Sequence, residues 1–168
     1  EGVCRQWEAE LMAADIPNTR RVAMRITIAF GPERGGAADI LYKLVRFGLG
    51  GWQGPGRQMV SWIHTDDFAR AVEWLLEHED LSGPVNMAAP NPLSNREFMR
   101  LFRQAAKVPI GLPCPTPILA VGAIFLRTEP ELILKSRRVV PARLLESGFE
   151  FQHPTWGAAI ADILRRRS

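Results

Sequence analysis

RVAMRITIAF, residues 21–30, is the stretch of sequence that decides the fold. It is nearly continuous in apolar character, is rich in β-branched side chains, and ends at Gly31-Pro32. A strand covered on both faces, as in a parallel sheet, has this composition. We therefore predict a buried strand of a parallel sheet over residues 21–30.

Helical and extended patterns alternate on both sides of this strand, which is typical of an α/β protein. Thr65 stands before Asp66-Asp67, and we expect its hydroxyl to cap a helix. Ser94 to Glu97 has the spacing of a capping box for the next helix. The predicted helices cover residues 3–14 and 38–47 and begin near Thr65 and Ser94, and the predicted extended segments cover 58–63 and 84–89.

Beyond Pro109 the pattern becomes mostly helical. We predict helices after Pro117, over Glu129–Lys135, over Pro141–Ser147 and over Thr155–Arg165. The chain therefore divides into an α/β part over residues 1–108 and a small, mostly helical C-terminal lobe over residues 109–168.

The amino-acid composition limits which classes of protein this chain can belong to. The 168 residues are 46% hydrophobic and 23% charged, as in one globular domain that buries a core. No window reaches the roughly 18 apolar residues of a membrane span, so we expect a cytoplasmic protein without membrane contact.

The chain begins at Glu1 inside an amphipathic pattern, and we expect it to be part of a longer protein. Two cysteines and three histidines show no metal-ligand spacing, so no metal is expected.

Basic residues cluster at Lys135-Ser136-Arg137-Arg138 and at Arg165–Arg167, although the net charge is only +3. Without interleaved aromatic residues, these clusters indicate a solvated helix face and a frayed tail more than a nucleic-acid site. A nucleic-acid module is the weaker alternative, and we expect no nucleic-acid partner.

Three segments together resemble extended short-chain dehydrogenases of the NAD-dependent epimerase/dehydratase type. The strand and turn at residues 25–32 are similar to those that follow the catalytic helix of that family. Trp62 to Ala71 resembles its Asp-Asp helix entry, and Gly83 to Met87 followed by Ser94 to Phe98 resembles its next strand and capped helix. The order and spacing of all three segments agree with the family.

Further segments resemble one branch, the YfcH-type epimerase family proteins related to human short-chain dehydrogenase family 39U, whose C-terminal lobe is a domain of unknown function. The likeness covers essentially all 168 residues. These further segments are Cys4–Glu8, Gly50–Gln58, Trp62–His64, Ala89–Pro92 and Val140–Leu144.

The resemblance implies the C-terminal part of a Rossmann-like fold whose phosphate loop lies upstream of residue 1. The glycines of residues 48–56 miss the G-x-G-x-x-G spacing, and a flexible turn is favoured over a phosphate cradle. The intact protein is expected to bind NADP or NAD, and this chain alone to bind it weakly or not at all.

The catalytic Tyr/Lys pair of the family is not found in this chain. Tyr42, the only tyrosine, lies on the wrong helix for the family pattern. If Glu8 is aligned with the family's glutamate, Cys4 takes the lysine position. We therefore assign no catalytic residue here, and whether the parent protein is an enzyme stays open.

The candidate cofactor-binding residues are Arg25, Ile26, Thr27, Ile28 and Arg34. The backbone of residues 26–28 corresponds by resemblance to a strand end near the nicotinamide. Arg25 is a charge within an apolar strand, so it should meet a carboxylate, a backbone carbonyl or a ligand phosphate. Arg34 lies in the Gly31–Gly36 loop, where an anion site and a solvent turn are both open.

The candidate substrate-binding residues are Arg57, Trp62 and His64, through stacking by Trp62 and hydrogen bonding by His64. Structural roles compete: Trp62 as core filler and His64 as a buried partner of Asp66 or Asp67. Nucleotide-sugar epimerases often have an Arg-Asp pair where Val60 and Ser61 stand here, which makes a UDP-sugar substrate less expected.

Two functions follow. The first is the C-terminal half of an NAD(P)-dependent oxidoreductase or nucleotide-sugar-epimerase-like protein, forming the substrate-side wall for an unknown small molecule. The alternative is a non-catalytic NAD(P)-binding sensor or scaffold. In either case we expect the missing N-terminal Rossmann half as a partner, and a homodimer when this chain is alone.

Overall fold

The computed structural model describes residues 2–114 and 135–167. The predicted alternation of helices and strands is confirmed within them. The helices are α1 (Gly2–Ala13), α2 (Ala37–Arg46), α3 (Thr65–Glu77), α4 (Asn95–Ala105), α5 (Ala142–Glu146) and α6 (Trp156–Arg166), and the strands are β1 (Val22–Ile26), β2 (Ile28–Phe30), β3 (Met59–Val60), β4 (Trp62–His64), β5 (Gly83–Met87) and β6 (Leu93–Ser94).

The predicted strand over residues 21–30 is two strands that pair with different partners. β1 runs parallel to β5, from Val22 opposite Gly83 to Ile26 opposite Met87. β2 runs parallel to β4, and β3 pairs antiparallel with β6. The change of partner occurs at Thr27, whose backbone N–H and hydroxyl both donate to the Met87 carbonyl, at 3.2 and 3.0 Å. The parallel pairing is as predicted, but the single strand is not.

Coverage of this strand on both faces is not observed among the described residues. Ala23 is buried, but Met24, Ile26 and Ile28 are 42%, 54% and 40% exposed. The neighbouring helix α1 buries none of its residues, and Trp7 on it is 70% exposed. The N-terminal part of the chain therefore presents an apolar face that the described residues leave uncovered.

Trp156, the first residue of α6, lies at the centre of the larger core. Its ring stacks on Phe98 of α4 at 4.1 Å between centroids, and its Nε1–H donates to the Phe98 carbonyl at 3.0 Å. Phe30 and Trp62 contact it edge-on. A second core joins β4, β5, α3 and α5 through Ile63, Leu75, Val85, Met87, Leu144 and Phe149. Both C-terminal helices thus share cores with residues 1–108, and the division at residue 108 stays a prediction.

The two helix N-termini differ in how well the sequence predicted them. Ser94 caps α4, accepting from the Glu97 N–H at 3.4 Å, as predicted. Thr65 does not cap α3: it is the first helical residue, and the ring of His64 accepts from the Asp66 N–H at 3.0 Å. On α3, Leu75 is buried, whereas the next residue, Leu76, is 71% exposed.

Arg165 and Arg166 lie on an exposed helix face, as expected, whereas residues 135–138 are exposed but not helical. Residues 135–138 form an extended segment bonded to β3. At the other cluster, Arg166 pairs with Asp66 at 2.5 Å, and Arg167 pairs with Asp39 at 2.5 Å while covering the Tyr42 ring at 4.0 Å. The arginines at the end of α6 therefore hold it to α2 and α3.

The glycine-rich loop over residues 48–56 is fixed by hydrogen bonds, in contrast to the flexible turn that we expected. Gly51 N–H donates to the Leu112 carbonyl at 3.1 Å, and Leu112 N–H donates to the Gly48 carbonyl at 2.7 Å. A Cβ at Gly51 would lie 2.3 Å from the Leu112 backbone. The glycine is therefore needed for close packing of two backbone segments.

The helix predicted after Pro117 and most of the one over Glu129–Lys135 lie outside the described residues. Within residues 2–114 and 135–167, no helix is both long enough and apolar enough to cross a bilayer.

Replacing Trp156 by alanine tests whether α6 is part of the main core. Because Trp156 is only 2% exposed, Trp156→Ala should lower the free energy of unfolding by about 3–5 kcal/mol. Urea denaturation at low protein concentration measures this. Trp7→Ala is the matched control, and a loss of less than about 1 kcal/mol is expected there. Equal losses in the two variants would contradict the packing described.

Candidate functional site

A cleft of about 1040 Å³ lies between α1, the β1–β2 strand and residues 135–140. Four of the five predicted cofactor-binding residues line it together: Arg25, Ile26, Thr27 and Ile28. Its floor is apolar and includes Phe30, Met59 and Phe98. A concave, largely apolar surface with a few polar groups is the usual form of a small-molecule site.

Arg25 is not buried, contrary to our reading of the apolar strand, and its partner is a carboxylate. Its Nε and Nη2 donate to the two carboxylate oxygens of Glu8 on α1, each at 2.7 Å. This hydrogen bonding lowers the pKa of Glu8 and raises the pKa of Arg25. The pair ties α1 to β1 across one end of the cleft, and cofactor contact by Arg25 stays a prediction.

Arg34 lies away from the cleft, in the loop before α2. In this loop the Gly35 N–H donates to the Asp39 carboxylate at 3.0 Å, and the Gly36 N–H to the Glu33 carbonyl. Hydrogen bonds from Lys43, Gly35 and Arg167 hold the pKa of Asp39 far below its ordinary value. Two amides of the loop are thus occupied internally, and an anion site at Arg34 stays a prediction.

The three predicted substrate-binding residues do not line the cleft. Arg57 borders a separate depression with Ser94 and Arg96. Trp62 and His64 have no exposed surface; Trp62 contacts Trp156 at 5.0 Å between ring centroids. Substrate contact by these residues stays a prediction, while the structural roles that we weighed against it are observed directly.

His64 stands in a cluster of titratable groups between α3 and α6. Its ring stacks on His153 at 3.9 Å, and its Nε2 lies 3.6 Å from the Asp162 carboxylate without a hydrogen-bond partner. Burial and His153 lower the pKa of His64 below its ordinary 6.5. Burial opposes the charged form of Asp162, yet hydrogen bonds from Arg166 and Arg165 lower the pKa of that carboxyl.

The ligand atoms of His64, Asp66, His153 and Asp162 lie within 4.8 Å of one another, a grouping that the sequence spacing did not reveal. Metal binding is nonetheless disfavoured by the donor set. Because His64 Nδ1 accepts the Asp66 N–H, the neutral ring carries its proton on Nε2, where a metal would need a lone pair. Arg166 already pairs with both carboxylates. The cluster is best described as a capping and ion-pair network.

Several other residues that line the cleft were not identified from the sequence, or were identified only in part. Gln53 and Asn95 face each other in the lining: Gln53 N–H donates to Asn95 Oδ1 at 2.7 Å, and Asn95 Nδ2 to Gln53 Oε1 at 3.2 Å. Asn95 thus belongs to a buried polar pair at the start of α4. Ser61 was noted only because epimerases often have a different residue at its position, and residues 135–140 reach the cleft through tertiary contacts.

Comparison with known proteins adds the family. Residues 115–163 match the domain of unknown function DUF1731. The epimerase family protein ML0860 of Mycobacterium leprae is 34% identical over 166 residues, covering 99% of this chain and 53% of the relative. The crystal structure of human epimerase family protein SDR39U1 with NADPH has a TM-score of 0.84 at 32% identity, covering 98% of this chain and 54% of that one. The chain is similar to these epimerase family proteins over nearly its whole length.

A solved nucleoside-diphosphate sugar epimerase from Corynebacterium glutamicum is also similar, with a TM-score of 0.70 at 31% identity over 97% of this chain and 30% of that one. The predicted family and Rossmann-like short-chain dehydrogenase fold are thus confirmed. The chain spans about half the length of the epimerase family relatives it matches. The other half of those proteins has no counterpart among the 168 residues of this chain.

The lowered pKa of His64 predicts that the fold loses stability in mild acid. The neutral ring caps α3, so the folded state resists protonation, and the stabilising contribution is complete above pH 6.5. It should decline as the pH falls below that value and through the lower folded pKa.

The measurement is the free energy of unfolding at several pH values between 7.5 and about 5. His64→Asn keeps an acceptor for the Asp66 N–H but cannot titrate, so its stability should fall less steeply with decreasing pH. His78→Asn, which alters a histidine outside the cluster, should keep the wild-type slope. A wild-type slope in His64→Asn would refute the assignment.

Proposed function

We propose that this chain forms the substrate-side wall of an NAD(P)-dependent oxidoreductase or epimerase-like enzyme. The observation that carries the proposal is the cleft at Thr27, where the strand changes partner from β5 to β4. In open α/β sheets, ligands bind at the carboxyl ends of strands where the strand order switches. The binding of NADPH by the human relative supports a nicotinamide cofactor.

The second part of the proposal is that an N-terminal half completes the sheet and supplies the phosphate loop. β1 bonds to β5 along one edge, and no described strand pairs with its other edge. Parallel sheets are normally covered on both faces, whereas Met24, Ile26 and Trp7 are exposed here. These three side chains also line the cleft, so an added strand and its helices would narrow the cleft and form its remaining wall.

The described lining offers binding groups more than proton-transfer groups. Glu8 is held ionised by Arg25, and Tyr42 does not line the cleft. Cys4, on the same helix as Glu8, is an exposed free thiol. The chain therefore orients the ligand, and the proton-transfer group for any reaction comes from the N-terminal half.

Calorimetric titration with NADPH and NADH tests this proposal. We expect saturable binding by the intact protein that contains this chain, and little or none by the 168-residue chain alone, because the phosphates are held by the other half. Tight binding by the chain alone would overturn the division of the site. Binding by neither would favour a scaffold that acts through partner contacts.

The uncovered face also predicts that the isolated chain self-associates. An open strand edge and an exposed apolar helix are templates for pairing with a second copy. Light scattering at tens of micromolar should give the mass of a dimer. Trp7→Ser should weaken the dimer about tenfold, since it removes the largest exposed side chain of α1.

Leu76→Ser is the matched control, because Leu76 is equally exposed, at 71% against 70%, but lies on α3. Its dimer should form at the wild-type concentration. A compact monomer for the unmodified chain at all concentrations would contradict this prediction.

A further inference from the structure

Gln53, in the glycine-rich loop before β3, is held in place through its backbone. Its N–H donates to Asn95 Oδ1 at 2.7 Å. Its carbonyl accepts from Gln58 Nε2 at 2.7 Å and from the Gly56 N–H at 3.2 Å. These bonds join the loop to Asn95, the first residue of α4. The position of Gln53 is therefore fixed before any ligand binds.

The side-chain amide of Gln53 can take only one orientation. Because Asn95 Oδ1 accepts from the Gln53 N–H, the other terminal atom of Asn95 is the donor Nδ2. That Nδ2 lies 3.2 Å from the end of the Gln53 side chain, and a donor requires an acceptor there, which is Oε1. The Nε2 of Gln53 therefore points away from Asn95.

This Nε2 is a hydrogen-bond donor without an internal partner. No acceptor in residues 2–114 and 135–167 receives its hydrogens, and Nε2 does not belong to the fully enclosed atoms that lack a partner. Gln53 is only 8% exposed and belongs to the lining of the cleft. The small exposed part of this residue thus places an amide donor at the cleft wall.

The surroundings of the amide limit what it can bind. Nε2 carries two hydrogens, while the neighbouring Oε1 already accepts from Asn95. A hydroxyl group would bring a further proton that needs an acceptor, whereas a carbonyl oxygen needs donors only. Phe30 and Phe98 add apolar surface to the same lining. The combination fits a carbonyl oxygen carried on an apolar body.

We propose that Gln53 recognises a carbonyl oxygen of the substrate through its Nε2 hydrogens, and that Asn95 is a positioning residue that holds the amide in this orientation. This inference rests on the proposed function and adds a specificity contact to the same cleft. The oxygen is a recognition group, and no bond to it forms or breaks. Because a nearly buried donor without an acceptor is unfavourable, a ligand that lacks the oxygen is rejected.

The test measures the binding of two unreactive probes to the intact protein in the presence of saturating NADPH. N,N-dimethylbenzamide offers a carbonyl oxygen on an aromatic ring, and cumyl alcohol, of similar size, offers a hydroxyl group. The wild type should bind the amide probe more tightly than the alcohol. Nuclear magnetic resonance titration measures both affinities.

Gln53→Glu keeps the size of the side chain and the acceptor for Asn95 but has no hydrogen to donate. With an unchanged circular dichroism spectrum, it should bind N,N-dimethylbenzamide about tenfold more weakly. Gln6→Glu is the matched control, because it makes the same chemical change at an exposed position of α1 outside the lining. It should change the affinity less than about twofold.

Asn95→Asp tests the positioning role without altering Gln53. Its carboxylate still accepts the Gln53 N–H, but it cannot donate to Oε1, so the Gln53 amide should turn and donate to it through Nε2. A carboxylate in the first turn of α4 suits the helix dipole. The resonances of the Gln53 side-chain amide, assigned by their loss in Gln53→Glu, should shift on addition of the amide probe in the wild type but not in Asn95→Asp. If Asn95 only supported the fold, the shift would persist.

Four results would overturn the inference: no saturable binding of N,N-dimethylbenzamide by the wild type, tighter binding of cumyl alcohol, equal losses in Gln53→Glu and Gln6→Glu, or Gln53 resonances that respond to NADPH and not to the probe. The last would assign the contact to the cofactor. If the wild type binds the amide probe through Gln53 but does not bind NADPH, the proposed function fails while the carbonyl contact stands.

Discussion

Two hydrogen bonds to one carbonyl oxygen, from the N–H and the hydroxyl of Thr27 to Met87, set the arrangement on which the site depends. Before this point the strand follows β5, and after it the strand follows β4. The cleft lies beside this change of partner and is lined by Ile26, Thr27 and Ile28. Thr27 belongs neither to the β1–β5 pairing nor to the β2–β4 pairing, and its hydroxyl adds a second hydrogen bond to Met87 at this position.

The C-terminal helix closes the opposite side of the molecule. Trp156 fills the space between α4 and the end of β2, while Arg166 and Arg167 bond to acidic residues of α3 and α2. The hydrophobic and ionic contacts act on the two ends of the same helix. As a result, residues 100 and 128 positions apart in sequence tie this helix to α3 and α2.

Sequence patterns predicted local structure better than the site. Apolar spacing located α2, α3 and α4 because each buries one face, and Ser94 was identified as a cap because it bonds to its own helix. The cap of α3 was not predicted correctly. His64, and not the adjacent Thr65, accepts the hydrogen bond from the Asp66 N–H, because a nitrogen of its buried imidazole ring serves as the acceptor. Residues 135–138 are held beside the cleft by the hydrogen bond from the Ser61 hydroxyl to the Arg137 carbonyl, which joins residues 76 positions apart. No periodicity encodes such a contact, whereas the family resemblance did place residues 25–28 at the cleft.

The attachment of α1 has a consequence for motion. This helix buries no residue. Among the described residues, Arg25 bonds to Glu8 on the helix, and Arg21 bonds to the carbonyls of Met12 and of Ala14 just beyond its end. A helix held by a few polar bonds opens locally at far lower free energy than one seated in a core. Among the described helices, α1 is therefore expected to exchange its amide protons with solvent sooner than the buried helices α3 and α4, and with it the wall of the cleft that it forms should open.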